Sequence, residues 1–212
     1  MMIKKKRTVK VRSQVPRCDD FFIVGIGASP GGFEACKLLL ENLAADTGMA
    51  FVIILHLLPT RESLAAQILR KSTRMSVAEA MSGMEVEPNH IYVIPPNTQM
   101  CVRNRKLELQ PRSQFESPPM PIDYFFKSLA IDALDRAIGV VLSGKSNDGA
   151  EGSIAIKDRG GNIFSQTPEP AHERWMRANT IAMSKSEIDF ILTPQEIGRE
   201  LTQISGLRKH GG

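Results

Sequence analysis

The sequence has little to cross-link or to bind a structural metal. Its three cysteines, Cys18, Cys36 and Cys101, are odd in number, widely spaced and form no CxxC pair. That excludes a disulfide scaffold and reads as incidental or buried thiols in a reducing cytoplasm. No apolar run approaches the ~20 residues of a membrane-spanning helix. The basic start, Met1 to Arg12 with Lys4-Lys5-Lys6-Arg7, lacks the apolar segment of a secretory signal. No internal repeat or linker divides the chain. The net charge of +4 comes largely from the basic start, so no nucleic-acid surface is indicated. What remains is one globular domain: 212 residues, 42% hydrophobic and 24% charged. Residues 1–20 are expected to be a disordered tail, 21–205 the domain and 206–212 a flexible end.

The stretch Phe21 to Glu34, FFIVGIGASPGGFE, organises the rest. Phe21-Phe22-Ile23-Val24 reads as a strand buried on both faces, bounded by Gly25 and Gly27. A glycine-rich turn follows, and Phe33 to Leu40 carries helical spacing, so a helix is expected from about Gly31 or Gly32. Ser29 then stands at the carboxyl end of a strand and beside a helix N-terminus, where open α/β sheets bind ligands. Gly27-Ala28-Ser29-Pro30-Gly31 fits a nucleophile elbow, G-x-S-x-G. A dinucleotide fingerprint fits less well, because its third glycine would fall at Pro30. Ser29 as a simple helix cap is the plainer alternative.

Further along, Ala50 to Leu55 reads as a second buried strand ending at His56, and Ser63 to Arg70 as a helix. Met81 to Val86 and His90 to Asn97 read as a turn and a short strand. Cys101-Val102 and Lys106 to Leu109 bracket a hairpin turn at Arg103-Asn104-Arg105. Ser113 to Pro121 reads as a surface loop, and Ile122 to Leu134 as an amphipathic helix. Ala137 to Leu142 is a third buried strand, ending in Ser143-Gly144-Lys145-Ser146-Asn147-Asp148-Gly149-Ala150, with a helix after it. Gly160 to Ser165 and Asp189 to Leu192 read as strands, and Ala178 to Ser184 and Pro194 to Ile204 as helices. The alternation predicts an α/β fold: a doubly wound, mostly parallel sheet with helices on both faces and an inserted antiparallel hairpin.

Ser29, His56 and Asp148 thus follow the carboxyl ends of three apolar strands, which a parallel sheet brings to one edge. Serine attack on an acyl carbon needs an imidazole to take the hydroxyl proton and a carboxylate to orient the imidazole. The three residue types match those roles. Singly, Ser29 and Asp148 also suit helix caps, and His56 a core histidine. The order serine, histidine, acid differs from the serine, acid, histidine of α/β-hydrolases. Pro30 has no N–H, so oxyanion donors must come from elsewhere; the amides around Gly144 and Lys145 are the candidates.

Together GIGASPGGFEA, the strand ending in LHLLP, HIYVIPPN, MPIDYFFKSLA and VLSGKSNDGA resemble the catalytic domain of the chemotaxis receptor methylesterases, the CheB family, from about Phe21 to Leu201. The resemblance implies a cytoplasmic serine hydrolase of glutamyl methyl esters on chemoreceptor helices, releasing methanol, with glutamine deamidation in some members. It places Ser29 as nucleophile, His56 as base and Asp148 as third member, and implies no metal or organic cofactor. The implied partners are methylated receptor helices, with a receptor methyltransferase or a separate regulatory domain as further candidates. Neither nucleic acid nor membrane insertion is implied. The family's G-M-G-x-D-G turn is here Gly144-Lys145-Ser146-Asn147-Asp148-Gly149. Lys145 retains the backbone amide, whereas Ser146 replaces a glycine. That departure supports an alternative: a catalytically weakened domain that binds a receptor or methyltransferase. A second departure is Arg174-Trp175-Met176-Arg177, where the family often has G-M-P. No receiver domain stands before the catalytic part in this sequence.

Overall fold

The computed structural model describes residues 21–28, 30–55, 64–112, 120–142, 148–167 and 188–209. Three strands of almost purely apolar sequence form its centre: β1 (Ile23–Ala28), β2 (Ala50–Leu55) and β7 (Ala137–Val141), every residue of them buried. A strand with no polar face must be covered on both sides, and these are. β1 pairs with β2 on one side and with β7 on the other, all parallel. Outward from them lie β4 (His90–Val93) and β3 (Ser76–Glu79) on one flank, and β8 (Asn162–Gln166) and β9 (Phe190–Leu192) on the other. The seven strands run in the order β3-β4-β2-β1-β7-β8-β9, all neighbours parallel.

The connections leave β1 in one direction and β7 in the other. Right-handed crossovers therefore carry their helices to opposite faces. α1 (Phe33–Glu41) and the closing helix α5 (Pro194–Lys209) pack together on one face. α3 (Pro121–Ala133) and α4 (Ala150–Asp158) pack together on the other. The short α2 (Ala65–Leu69) leads into β3. β5 (Thr98–Arg103) and β6 (Lys106–Pro111) form a separate antiparallel hairpin against α3. The backbone N–H of Val102 donates to Ser128 Oγ at 3.0 Å, and that of Arg105 to Asp132 Oδ2 at 3.2 Å. The expected α/β architecture with its inserted hairpin is the observed one.

The differences are local. β1 does not stop at Gly25 but runs through both glycines to Ala28. A Cβ on Gly25 would stand 2.9 Å from Phe126 and 3.1 Å from Phe125, and one on Gly27 would stand 2.5 Å from Ile122. The glycines are therefore not strand breaks; they let α3 lie close on the sheet. Phe125 and Phe126 are fully buried there, each worth about 2–3 kcal/mol of hydrophobic burial. Pro121, expected in a loop, opens α3, where its missing N–H costs nothing. β3 has no counterpart in the sequence reading. The expected helix over Ala178–Ser184 and most of the loop from Ser113 lie outside the described residues. Among the described residues, no helix is long and apolar enough to cross a membrane.

Candidate active site

The strand order reverses between β1 and β7, and at such a switch point the carboxyl-end loops diverge and leave a crevice. Ala28, the last residue of β1, is the register partner of Leu55, the last residue of β2. Gly27 is the partner of Val141 at the end of β7, and Leu142 N–H donates to Gly27 O at 2.9 Å. Three strands thus end level along one edge. Ser29, His56, Gly144 and Lys145 continue from these ends and lie outside the described residues, so Asp148 is the one sequence-predicted site residue whose surroundings are described.

Asp148 is 4% exposed, and its carboxylate is held at the N-terminus of α3. Ile122 N–H donates to Oδ2 at 3.1 Å and Asp123 N–H to Oδ1 at 2.9 Å. A helix N-terminus leaves its first amides without partners, and a carboxylate satisfies two of them while meeting the positive end of the dipole. The same Ile122 packs its side chain against Gly27 and approaches Gly149, so one residue ties Asp148 to the end of β1. Gly149, at φ +100°, makes the turn that releases the chain from Asp148 into α4. Burial pushes the Asp148 pKa up to about 6. The backbone donors at Asp123 and Ile122 oppose that rise, and the negative charge of Asp123 adds to it. The carboxylate is therefore ionised at neutral pH, within reach of titration just below it.

Two neighbours escaped the sequence reading. Asp123 is buried in the first turn of α3, its own pKa raised by burial. Arg112 lies just past β6, and its Nε donates to Thr98 O at 3.1 Å. Burial lowers the pKa of its guanidinium, and attraction to Asp148 works against that. An acid in the first turn of a predicted helix was a readable signal for Asp123. Nothing local marks Arg112, whose relevance depends on where the hairpin folds. Among the described residues, no cluster of three His, Cys, Asp or Glu side chains could hold a metal.

Comparison with known proteins gives a consistent result. The CheB methylesterase family model matches residues 24–201. The chain is 32% identical over 196 residues to the "Protein-glutamate methylesterase/protein-glutamine glutaminase 1" of Myxococcus xanthus, covering 88% of this chain and 55% of that protein. It is 31% identical over 193 residues to the corresponding protein 2 of Pseudomonas aeruginosa, covering 89% of this chain and 54% of that one. The chain thus spans about half the length of these two relatives. The crystal structure of the Thermotoga maritima CheB methylesterase catalytic domain superposes with a TM-score of 0.76 at 24% identity, covering 87% of this chain and 99% of that one.

Proposed function

The chain belongs to the CheB methylesterase family, and from that premise we propose that it is a cytoplasmic serine hydrolase of glutamyl methyl esters on chemoreceptor helices. The observation that carries this reading is the pairing of Ala28 with Leu55. Neighbouring strands lie about 4.8 Å apart, so the residues that immediately precede Ser29 and His56 in the chain stand side by side at one edge. Two strands that end level just before Ser29 and His56, with the buried Asp148 carboxylate tied to the end of β1 through Ile122, support reading the three residues as a nucleophilic triad.

In this reading His56 takes the Ser29 hydroxyl proton as Oγ attacks the ester carbonyl. The oxyanion is received by backbone amides around Gly144 and Lys145, since Pro30 has none to offer. Collapse of the tetrahedral intermediate expels methanol, which takes the proton from the imidazolium. Water, deprotonated by His56, then hydrolyses the glutamyl ester of Ser29 and frees the carboxylate. A glutamine side chain would follow the same route with ammonia as leaving group. Asp148, ionised above about pH 6, holds the imidazole tautomer and stabilises its charged form. The chemistry calls for neither metal nor organic cofactor. The partners in this reading are the methylated receptor helices, with a receptor methyltransferase or a separate regulatory domain as further candidates.

The altered turn Gly144-Lys145-Ser146-Asn147-Asp148-Gly149 favours a second reading, a weakened domain that binds receptor without turnover. Receptor carrying methyl-labelled glutamyl esters separates the two. The hydrolase reading expects labelled methanol from the wild-type chain and a loss on the order of a thousandfold or more in Ser29→Ala. Receptor binding without methanol release would establish the second reading and overturn the first.

A further inference from the structure

The N-termini of α3 and α4 are clasped by a pair of crossed carboxylates. Asp148, one residue before the Gly149 cap of α4, accepts the Ile122 and Asp123 N–H groups of α3. Asp123, in the first turn of α3, reaches the other way: its Oδ1 accepts the Gly152 N–H of α4 at 2.7 Å. Asp123 therefore touches Asp148 through its backbone N–H and binds the helix that follows Asp148 through its side chain. Ser153 tightens the same turn, its N–H donating to Gly149 O at 3.0 Å and its Oγ at 2.6 Å. Gly152 lets the clasp close, since a Cβ there would run into Phe126 and stand 3.1 Å from Asp123 Cα.

We propose that Asp123 is a positioning residue for the reaction, fixing the Asp148 carboxylate at the switch-point edge. The proposal rests on the reading of Asp148 as the third triad member. Hydrogen bonding alone could be served by a neutral side chain, yet a second buried carboxylate stands here. Its charge opposes ionisation of Asp148 and favours protonation of an imidazole facing Asp148. Among the described residues, Asp148 is faced by Asp123 from α3 and by Arg112 from beyond β6. Asp123 is faced by Lys127 on its own helix, which favours its charge, and by Glu151 on α4, which opposes it.

The test compares kcat and kcat/KM across pH for wild type, Asp123→Asn, Asp123→Ala and Asp148→Asn on methyl-esterified receptor. Asp123→Asn retains an oxygen for Gly152 N–H and removes the charge. The acid limb of kcat/KM is expected to move to lower pH by roughly half to one unit. Asp123→Ala loses the acceptor as well, and kcat is expected to fall about tenfold with KM little changed. An unmoved acid limb in Asp123→Asn, with Asp148→Asn inactive, overturns the positioning role and leaves the triad standing. Full activity in Asp148→Asn overturns the triad reading and this proposal together. Should Asp123→Ala not fold, the pH profile of Asp123→Asn decides alone.

Discussion

Substituting Gly152 by alanine tests the helix clasp through stability. The new Cβ would collide with Phe126 and approach Asp123 Cα at 3.1 Å and Asp123 O at 3.2 Å. Two of these three atoms belong to backbone, so no side chain can swing away to relieve them all. Overpacking of this kind costs about 1–3 kcal/mol. Separating the helices also stretches the 2.7 Å bond from Gly152 N–H to Asp123, and a hydrogen bond to a charged group is worth about 1.5–3 kcal/mol. Against this stands the better helix propensity of alanine, at most about 1 kcal/mol. Steric and hydrogen-bond losses win, with a net loss of roughly 2–4 kcal/mol, or about 5–15 °C in Tm for a chain of this length. Urea denaturation followed by circular dichroism measures it. Gly206→Ala is the control, because nothing lies within 4 Å of a Cβ there; it should be neutral or slightly stabilising. Equal stability of wild type and Gly152→Ala would refute the close-contact argument.

Asp148 gives a pH signature of its own. A carboxyl group whose folded pKa is raised contributes stability below its unfolded pKa and loses it as pH rises through the folded value, here from about 4 to about 6. Relative to Asp148→Asn, the wild type should lose about 1–3 kcal/mol across that window, and a constant difference between the two denaturation curves would contradict the assignment. If Lys145 serves through its backbone amide, Lys145→Met should leave methanol release nearly unchanged and Ser146→Gly should be neutral or activating. A drop of tenfold or more in Lys145→Met, with an unchanged circular dichroism spectrum, would show that the side chain takes part. Cys36 is fully buried, and burial pushes its thiol pKa up to about 12; a thiol reagent should label it only after unfolding, and rapid labelling of the native chain at Cys36 would contradict the packing of α1.

How far the sequence carries is clear from individual elements. β2, β7 and α3 announce themselves because a buried strand shows a continuous apolar run and a half-buried helix shows spacings of three and four. β3 does not, because a four-residue edge strand, Ser76 to Glu79, in which only Val77 is buried leaves no pattern to read. The misplaced end of β1 has a different cause. Glycine looks like punctuation in one dimension, and only the packing of Ile122, Phe125 and Phe126 shows Gly25 and Gly27 to be spacers. Ser29, His56 and Asp148 were legible as residues following strand ends. The environment of Asp148 was not, because its donors are backbone amides 25 and 26 positions away, brought close by the packing of α3 on α4. Arg112 depends in the same way on the hairpin folding over α3.

The central claim is that Ser29 is a nucleophile activated by His56 at this sheet edge. Incubating the chain with an active-site serine reagent such as a fluorophosphonate, and locating the adduct by mass spectrometry of the digested protein, tests it most directly. The account predicts a single adduct on the peptide containing Ser29, absent in Ser29→Ala and strongly slowed in His56→Ala. An unmodified Ser29, or modification at an undiminished rate in His56→Ala, would contradict it.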